Sequence, residues 1–540
     1  MLLTARRRWP PYWEGTDMSD IVVREETDIV VVGGGGSGLT AAIFARREGA
    51  RVVLLEKHTE LRGSTGLSIG SITATGTPHQ RRAGIADDPQ AHFEDMGKFA
   101  AKLAGDRAAA ADNEELRRIL VENVPASVDW LMSLGVTFYG PMPEPPHRQP
   151  RMHNVLPNSR AYIYFVAREA RRVGVDARVE ATVERLLVED GRVVGVAARI
   201  AGRVHELRAR RAVILATGDY SSSPDWKRRF NPAVAEVDGV NTTNVGDGHR
   251  FGEELGAEVR FGEIIYGPNL RFMPPDKPSI LLRLPPHRLL TGAMRMALET
   301  LPTWLLRPFI LSFVTTYLSP EPSLFREGAI LVNKRGERFA DELDRPNYAL
   351  AEQPGKVGYI VFDDEVARRF GKWPHFISTA PGVAYAYLQD YRRTRPDLYH
   401  RGRTIQELAA SMGVPAAALG GAVAAHNAAP GGRPVIGKGP YHALGPVKSW
   451  IILTDGGLTV NRNHQVTRGD GQAIPGLYAV GSVGQGGLLL EGHGHHLAWA
   501  FTSGRLAGAH AAVHHGDSTG VAAPPQGRAR DPVTEAQAGR

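Results

Sequence analysis

The sequence contains no cysteine among its 540 residues. Disulfides, thiolate zinc sites, iron–sulfur clusters and cysteine-attached haem all need the cysteine sulfur, so the sequence excludes each of them. A catalytic thiol and a cofactor bonded to cysteine are excluded for the same reason. Any bound cofactor must therefore be held by other groups of the chain.

The sequence also lacks a strong excess of one charge. It has 64 basic and 57 acidic residues, a net charge of +7, and no basic stripe with interleaved aromatic residues. This weak and dispersed charge argues against nucleic acid as a partner. Hydrophobic residues at 42% and charged residues at 22% are typical of a globular enzyme, which excludes disorder for the bulk of the chain.

No long apolar run marks either end of the chain. Residues 1–24 carry three consecutive arginines followed by Trp-Pro-Pro, so they predict a flexible tail without a secretory signal. Residues 515–540 are rich in Ala, Pro, Gly and charge and predict a disordered tail. We therefore expect a cytoplasmic location.

Glycine is abundant, at 61 residues or about 11% against the usual ~7%. The densest run, Gly33-Gly34-Gly35-Gly36-Ser37-Gly38, follows apolar residues 29–32, which predict a buried strand. A helix over 39–48 and a second strand over 51–55 that ends at Glu56 complete a βαβ unit. This order of elements is typical of a dinucleotide-binding site.

Each residue type in the motif has a physical role. Gly33 permits the turn, Gly35 lets the backbone approach a pyrophosphate, and Gly38 lets the helix touch the strand. The helix N-terminus favours the phosphate charge, and Glu56 accepts a hydrogen bond from a ribose hydroxyl. The motif alone leaves NAD and FAD open.

The rest of the chain favours FAD. Residues 62–71 form a small, hydroxylated loop that suits a flavin phosphate and ribityl chain, and a buried strand over 212–216 precedes Thr217-Gly218. A second Gly-rich stretch over 484–494 and a helix over 497–510 stand near the C-terminus. A nicotinamide domain rarely needs its C-terminus at the dinucleotide, whereas a flavin ring must be covered as well.

Further motifs follow one another in a familiar order. They are Asp28–Glu56, Val183–Ala197, Ala216–Gly218, Gly246–Gly248, Ile330–Glu342, Thr404–Asn427, Asp455–Gly457 and Ile474–Gly508. On these motifs the chain resembles the flavoprotein superfamily that contains fumarate reductase flavoprotein subunits and 3-ketosteroid 1-dehydrogenases. The resemblance implies an α/β fold, with a discontinuous, Rossmann-like FAD-binding domain and an inserted α+β capping domain that closes over the flavin.

The resemblance also implies the domain boundaries and the cofactor site. The FAD-binding domain comprises residues 25–262 and 454–514, and the cap comprises residues 263–453. We expect non-covalent FAD, because the loop over 63–71 has no histidine that would bond a flavin. The expected cofactor-binding residues are Gly33, Gly35, Gly36, Ser37, Gly38, Glu56, Lys57, Gly63, Ser64, Thr65, Ser68, Gly70, Ala216, Thr217, Gly218, Asp247, Gly481, Ser482, Gly492, Gly494 and Leu497.

The resemblance implies an arginine as proton-transfer residue just after an RF-x-x-E motif. Here Arg338-Phe339 and Glu342 precede Arg345, which matches if one residue is deleted. Tyr348 is the alternative acid. A surface ion pair for Arg345 and ordinary cap packing for Tyr348 are the competing interpretations.

The last Gly-rich loop contains the histidines His493, His495 and His496, which the resemblance brings near the flavin ring. A neutral histidine with a pKa near 6.5 is a suitable proton carrier. Packing against the flavin or the cap explains these residues equally well. We expect no metal site, because no carboxylate spacing supports one.

Three departures from the superfamily concern substrate binding. Fumarate-reducing members have carboxylate-anchoring residues, two His and an Arg, where this chain has Gly267-Pro268, Leu453 and Glu491. Removing one partner of a desolvated ion pair costs roughly 3–5 kcal/mol, or about two to three powers of ten in affinity. The substrate is therefore not expected to be a dicarboxylate. The tyrosine of the ketosteroid branch is absent from the same loop.

An unusual insert occupies residues 271–320. It has six basic and two acidic residues, a net charge of +4, and several apolar runs interrupted by proline. The uncharged run over 308–320 is too short to span a bilayer. The segment suits peripheral membrane contact or a mouth for a lipophilic substrate, and a dimer contact or extra cap core is the alternative.

Together these features predict an FAD-dependent dehydrogenase or ene reductase that acts on a C–C bond next to a carbonyl of a hydrophobic substrate. Because the chain has no haem or cluster motif, electrons must pass to or from a diffusible carrier, a quinone or O₂. Two alternatives remain open. One is a flavin oxidase or hydroxylase, and the other is a catalytically degraded flavoprotein that docks on a membrane or partner.

Overall fold

The computed structural model describes residues 22–109, 111–275, 283–302, 305–307, 311, 315, 319–380 and 384–514. The strands are β1 Val23–Val32, β2 Val52–Leu55, β3 Ser71–Thr73, β4 Thr137–Met142, β5 Met152–Leu156, β6 Asp176–Arg178, β7 Ala181–Glu189, β8 Arg192–Ile200, β9 Arg203–Leu215, β10 Asp238–Gly239, β11 Val259–Arg260, β12 Ile265–Tyr266, β13 Asn269–Phe272, β14 Ile330–Asn333, β15 Val357–Asp363, β16 Ser378–Ala380, β17 Ala384–Ala386, β18 Tyr399–Gly402, β19 Tyr441–Ile451, β20 Leu453–Thr454, β21 Gly457–Leu458, β22 Gln465–Thr467 and β23 Ala473–Ala479.

The α-helices follow the same chain order. They are α1 Gly36–Arg47, α2 Gly63–Leu67, α3 Pro78–Arg82, α4 Pro89–Ala109, α5 Glu114–Leu134, α6 Arg160–Arg172, α7 Pro224–Phe230, α8 Asp247–Glu254, α9 Arg288–Thr300, α10 Ser323–Arg326, α11 Pro346–Ala349, α12 Asp364–Arg369, α13 Leu388–Thr394, α14 Ile405–Met412, α15 Ala416–Ala428 and α16 His495–Val513. Short 3-10 turns occur at Pro232–Val234, Leu350–Glu352, Pro354–Lys356 and Gly481–Gly484.

A mixed sheet with a parallel centre, to which β22 adds an antiparallel edge, forms the larger half of the molecule. Its strands run in the order β22-β23-β9-β1-β2-β6, and β8 and β7 extend it as an antiparallel ribbon from β9. Ile29, Val30 and Val31 of β1 are fully buried, as the continuous apolar run predicts for a strand covered on both faces. The turn at Asp190-Gly191, with positive φ at both residues, joins β7 to β8 in a hairpin.

The C-terminal helix returns to the first βαβ unit. Helix α16 packs on α1 so closely that a Cβ on Gly504 would lie 2.4 Å from the backbone oxygen of Ser37. Strand β23, which leads to this helix, pairs with β9 in parallel. The two ends of the described chain therefore meet around one sheet, as the sequence predicts for an FAD-binding fold.

A second, mostly antiparallel sheet forms the cap. Strand β19 pairs with β10, β13, β15 and β18, and β15 pairs in turn with β14. All seven residues of β15 are buried. Strand β10 precedes residue 263 along the chain yet belongs to this sheet, so the segment around residues 234–240 joins the two halves.

The insert over 271–320 is described in part. Its helix α9 packs on the FAD-binding half, where the hydroxyls of Thr291 and Thr137 lie 2.8 Å apart. Leu289 and Met296 on α9 are 79% and 62% exposed. Most of the predicted apolar runs, at residues 281–282, 304, 309–310 and 312–313, lie outside the described residues. Within the part of the chain that the structure describes, no helix has the length and apolar character needed to cross a membrane.

Candidate active-site cleft

A cleft of about 310 Å³ opens at the carboxyl ends of β1, β2, β9 and β23. Side chains from the sheet line one wall, and Arg271, Ile452 and Leu453 from the cap line the other. Ligands of open α/β sheets bind at this edge, because the loops after parallel strands converge there. The cleft is therefore the candidate site for both a dinucleotide and a substrate.

The glycine loop after β1 has the geometry of a phosphate cradle. Gly33 has φ +112°, and a Cβ at this position would lie 2.3 Å from the carbonyl oxygen of Ala216. A Cβ on Gly38 would lie 1.9 Å from the carbonyl oxygen of Gly33, so Gly38 permits the contact between α1 and the strand. At Gly35, by contrast, the nearest atom to such a Cβ is 3.6 Å away. The loop thus exposes its backbone at the N-terminus of α1, where an anion is favoured.

Glu56 is held rigidly at the end of β2. Its carboxylate oxygens accept hydrogen bonds from the backbone N–H of Gly34 at 2.7 Å and of His58 at 2.8 Å. The neighbouring Lys57 forms an ion pair with Asp247, with Nζ and Oδ2 2.7 Å apart. A carboxylate fixed in this position fits a ribose hydroxyl donor.

The middle of the cleft contains a polar cluster in which the sequence predicted Ser64 and Thr217 but missed their partners. The amide nitrogens of Asn241 and Asn244 each lie 3.0 Å from Ser64 Oγ, and Asn244 also donates to Asp219 Oδ1 at 2.9 Å. Burial raises the pKa of the Asp219 carboxyl. The hydroxyl of Thr217 lines the same region and is buried without a hydrogen-bond partner among the described residues. These groups can bind the hydroxyl or phosphate oxygens of a dinucleotide.

Most of the expected cofactor-binding residues line the cleft. They are Gly33, Gly35, Gly36, Ser37, Glu56, Lys57, Gly63, Ser64, Thr65, Ser68, Gly70, Ala216, Thr217, Gly218, Asp247, Gly481, Ser482, Gly492, Gly494 and Leu497. Gly38 lies beneath the loop, where it makes the helix–strand contact described above.

The expected catalytic residues are dispersed. His493 lines the cleft and lies 2.5 Å from Glu144, and this hydrogen bond raises the pKa of its imidazole. His495 lies behind the cleft wall, where burial lowers its pKa to about 4. Arg345 is 76% exposed, 3.5 Å from Asp344, and its guanidinium lies over the Tyr348 ring. Neither Arg345 nor Tyr348 lines the cleft.

A hydrogen-bonded triad lies at the end of the cleft that contains the last Gly-rich loop. His496 lines the cleft, and its Nε2 lies 2.7 Å from Oδ1 of the fully buried Asp455. The Tyr266 hydroxyl donates to the other oxygen of Asp455 at 2.9 Å. Burial raises the pKa of Tyr266, and the carboxylates of Asp455 and Glu491 raise it further. The sequence motif around Asp455 was the signal for this triad, whereas nothing marked Tyr266.

Arg271 brings an isolated positive charge to the cap wall. It comes from β13 and lines the cleft beside Ile452 and Leu453. Its Nε is buried without a hydrogen bond, and within the described ranges no carboxylate forms an ion pair with it. Burial lowers the pKa of its guanidinium. A desolvated guanidinium without a counter-ion favours a ligand that brings an oxygen acceptor.

Comparison with known proteins bears directly on this cleft. A family model described as an FAD binding domain matches residues 28–284 and 288–489. The chain belongs to this FAD-binding family. The glycine cradle, the fixed Glu56 carboxylate and the unpartnered Thr217 hydroxyl fit the pyrophosphate and ribose of FAD. The protein is an FAD-dependent oxidoreductase of the type that acts on CH–CH bonds.

Relatives and solved structures agree with this assignment. The chain is 25% identical over 94% of its length to a probable fumarate reductase of Shewanella frigidimarina and covers 79% of that protein. An open flavocytochrome c3 fumarate reductase has a TM-score of 0.65 at 24% identity, over 91% of this chain and 79% of that one. The 3-ketosteroid Δ1-dehydrogenase of Sterolibacterium denitrificans has a TM-score of 0.59 at 17% identity. The match covers 90% of this chain and 99% of that one. The expected α/β fold and superfamily are confirmed.

Proposed function

We propose that the protein transfers hydride at a C–C bond next to an activating carbonyl of a lipophilic substrate that is not a dicarboxylate. The observation that carries the proposal is the cap wall of the cleft, which combines apolar Ile452 and Leu453 with Arg271, a cation that has no ion-pair partner among the described residues. Burial of ~300 Å² of apolar substrate surface would contribute about 7 kcal/mol. That free energy is enough to compensate for the missing residues that would bind substrate carboxylates.

The charges around the triad argue against two carboxylates in the substrate. Asp455 and Glu491 both raise the pKa of the Tyr266 hydroxyl, so two carboxylates already stand behind this end of the cleft. Glu491 and Leu453 occupy positions at which the resemblance implies an arginine and a histidine that bind substrate carboxylates. A single guanidinium suits one carbonyl or carboxylate oxygen and leaves a second carboxylate without a partner.

The residues of the site have separate roles in this proposal. When bound, FAD supplies a hydride acceptor or donor at its ring nitrogen N5. Arg271 would hold and polarise the substrate carbonyl. His496 would take or give the proton at the neighbouring carbon through Nδ1, because Nε2 bonds to Asp455. The Tyr266 hydroxyl would keep the Asp455 carboxylate oriented toward the His496 ring.

The proposal also includes how FAD is held and which molecules exchange electrons or substrate with the protein. We propose dissociable FAD, since the cleft lining over 63–71 offers no histidine for a covalent bond. A diffusible carrier, a quinone or O₂ would exchange electrons with the protein. The exposed Leu289 and Met296 of α9 favour peripheral membrane contact as the route by which a lipophilic substrate arrives.

A substrate screen on the yellow holoprotein tests this function. Under anaerobic conditions, the flavin absorbance at ~450 nm is followed after addition of steroid ketones or cyclic ketones. A separate sample receives succinate. After chemical reduction, recovery of the band is followed with cyclic enones and with fumarate. We expect changes with ketones or enones only. Turnover of fumarate or succinate at a comparable rate would overturn the proposal, and so would a protein that responds to none of these compounds.

A further inference from the structure

We propose that His92, His147 and His495 form a binding site for a divalent transition metal ion of the Zn²⁺ class, buried behind the cleft wall. Their ring nitrogens lie within 4.8 Å of one another, and all three residues are buried. His92 comes from α4, His147 from the loop between β4 and β5, and His495 from the first turn of α16. Sequence spacing could not bring them together, which is why the sequence predicts no metal site.

The spacing of two of the ring nitrogens already matches a metal site. Nε2 of His92 and Nε2 of His495 are 3.4 Å apart. In a tetrahedral zinc site with Zn–N bonds of about 2.0–2.1 Å, two nitrogen ligands lie about 3.3–3.4 Å apart. The same distance is long for a direct hydrogen bond, whose mode is about 2.9–3.0 Å. These two imidazoles are therefore better placed to share a metal ion than to bond to each other.

Unpartnered buried atoms also point to a missing ligand. Within the described residues, Nδ1 of His92 and Nε2 of His147 are buried without a hydrogen-bond partner. The neighbouring Glu144 carboxylate acts on His495, and its Oε2 is likewise buried and unpartnered. A buried polar atom without a partner costs about 1–3 kcal/mol. A cation bound by Nε2 of His92, His147 and His495 would give the His147 nitrogen its missing partner and lie near the Glu144 carboxylate.

The outer contacts of the imidazoles set which nitrogen faces the metal. His495 Nδ1 donates to the carbonyl oxygen of Glu491 at 2.5 Å, which leaves its Nε2 lone pair free. Such a bond from the second ring nitrogen is usual for histidines that bind metal. His147 Nδ1 now accepts from Arg151 at 2.9 Å and lies 4.0 Å from Asp95. On metal binding we expect its ring to turn, so that Nδ1–H donates to Asp95 and Nε2 approaches the ion.

The site would be structural, because His495 itself does not line the cleft. Its chain neighbours His493 and His496 do line it. A metal ion here would tie α4 and the loop containing His147 to the segment that carries the cleft residues. The chain supplies imidazoles without thiolates, which suits Zn²⁺, Co²⁺ or Ni²⁺.

Metal content of the full-length, FAD-loaded protein tests the proposal. The protein is prepared without a polyhistidine tag, treated with EDTA, incubated with Zn²⁺ at micromolar free concentration and passed over a desalting column. We expect about one zinc per chain by mass spectrometry of the metal, and a rise in Tm on Zn²⁺ addition. His92→Phe and His495→Phe should lose the zinc and the Tm rise, while His464→Phe, at another buried histidine, should keep both.

Zinc retained equally by the wild type and the His92→Phe and His495→Phe proteins would overturn the site. Wild-type protein without zinc and without a Tm response would overturn it as well, and the three histidines would then be a packed cluster in which His147 and His495 also contact Phe99. Because the wild-type measurement needs no variant, it can overturn the proposal even if the variants fail to fold. None of these readouts depends on the substrate proposed above.

Discussion

The two walls of the cleft are built in different ways. The wall of the FAD-binding half consists of short, contiguous motifs that follow strands, and its shape depends largely on backbone geometry at Gly33, Gly38 and Gly63. The cap wall and the triad consist of single side chains, Arg271, Leu453 and His496, that come from distant segments. The first wall therefore fits the cofactor, and in the proposed function the second wall selects the substrate.

The largest expected effect concerns the backbone-built wall. Gly33→Ala should abolish FAD binding, because its Cβ would lie 2.3 Å from a backbone oxygen and φ +112° is strained for alanine. The flavin-to-protein ratio of the purified variant measures this. Gly421→Ala is the control, since a Cβ there meets nothing within 4 Å. A yellow Gly33→Ala protein with full FAD content would contradict this account of the wall.

The next effect concerns the triad. His496→Gln and Asp455→Asn should retain FAD and lose turnover about 10²–10⁴-fold, because each removes the proposed proton carrier or the group that orients it. Stopped-flow rates of flavin bleaching with the best substrate of the screen measure the loss. His493→Gln is the comparison on the same loop and should have a smaller effect. Full turnover in His496→Gln would exclude the triad from the chemistry.

The cap cation should matter somewhat less. Arg271→Met should keep FAD and lower kcat/KM about 10- to 150-fold. This range corresponds to the free energy that a hydrogen bond to a charged group contributes. The matched control is Arg326→Met, at an exposed arginine of the cap. If Arg271→Met tightened substrate binding instead, the cap wall would be purely apolar in function and the carbonyl would have another partner.

Acid should loosen the FAD-binding half through its buried histidines. Burial lowers the pKa of His249 to about 4 and of His464 to about 3, below the value of 6.5 in the unfolded chain. Because the unfolded state binds more protons, the free energy of unfolding should fall as pH drops from about 6.5 to 4, by up to about 1.4 kcal/mol per pH unit for each histidine. Urea unfolding at several pH values measures this slope. His464→Phe should reduce it, and a pH-independent midpoint would contradict the expectation.

The smallest effect is expected at Arg345. Its only ion pair in the described structure is exposed, and such pairs contribute about 0–1 kcal/mol. Arg345→Ala should therefore keep FAD and turnover within about twofold, as steady-state kinetics would show. A loss of turnover of 100-fold or more would instead identify Arg345 as the proton-transfer residue, as the resemblance implies. The cap would then have to move so that the Arg345 side chain enters the cleft.

The sequence by itself determined the βαβ unit with its glycine loop and Glu56, and the resemblance supplied the return of the C-terminal helix and the more distant cofactor residues. The βαβ unit depends on local signals: continuous apolar strands, glycines that backbone geometry requires, and an acid at the end of β2. Because the residues of this unit are contiguous, no knowledge of packing was needed to group them. The fixed Glu56 carboxylate and the glycine cradle follow directly from that order.

Only the tertiary structure decided which side chains meet in the substrate end of the cleft. Arg271 stands in a segment whose charge and apolar runs suggested a membrane surface, yet pairing of β13 with β19 turns it into the cleft wall. Arg345, which the resemblance indicated as the proton-transfer residue, lies on the surface, and His495 lies beside His92 and His147. Long-range packing sets these positions, and the order of residues along the chain carries no local signal for it.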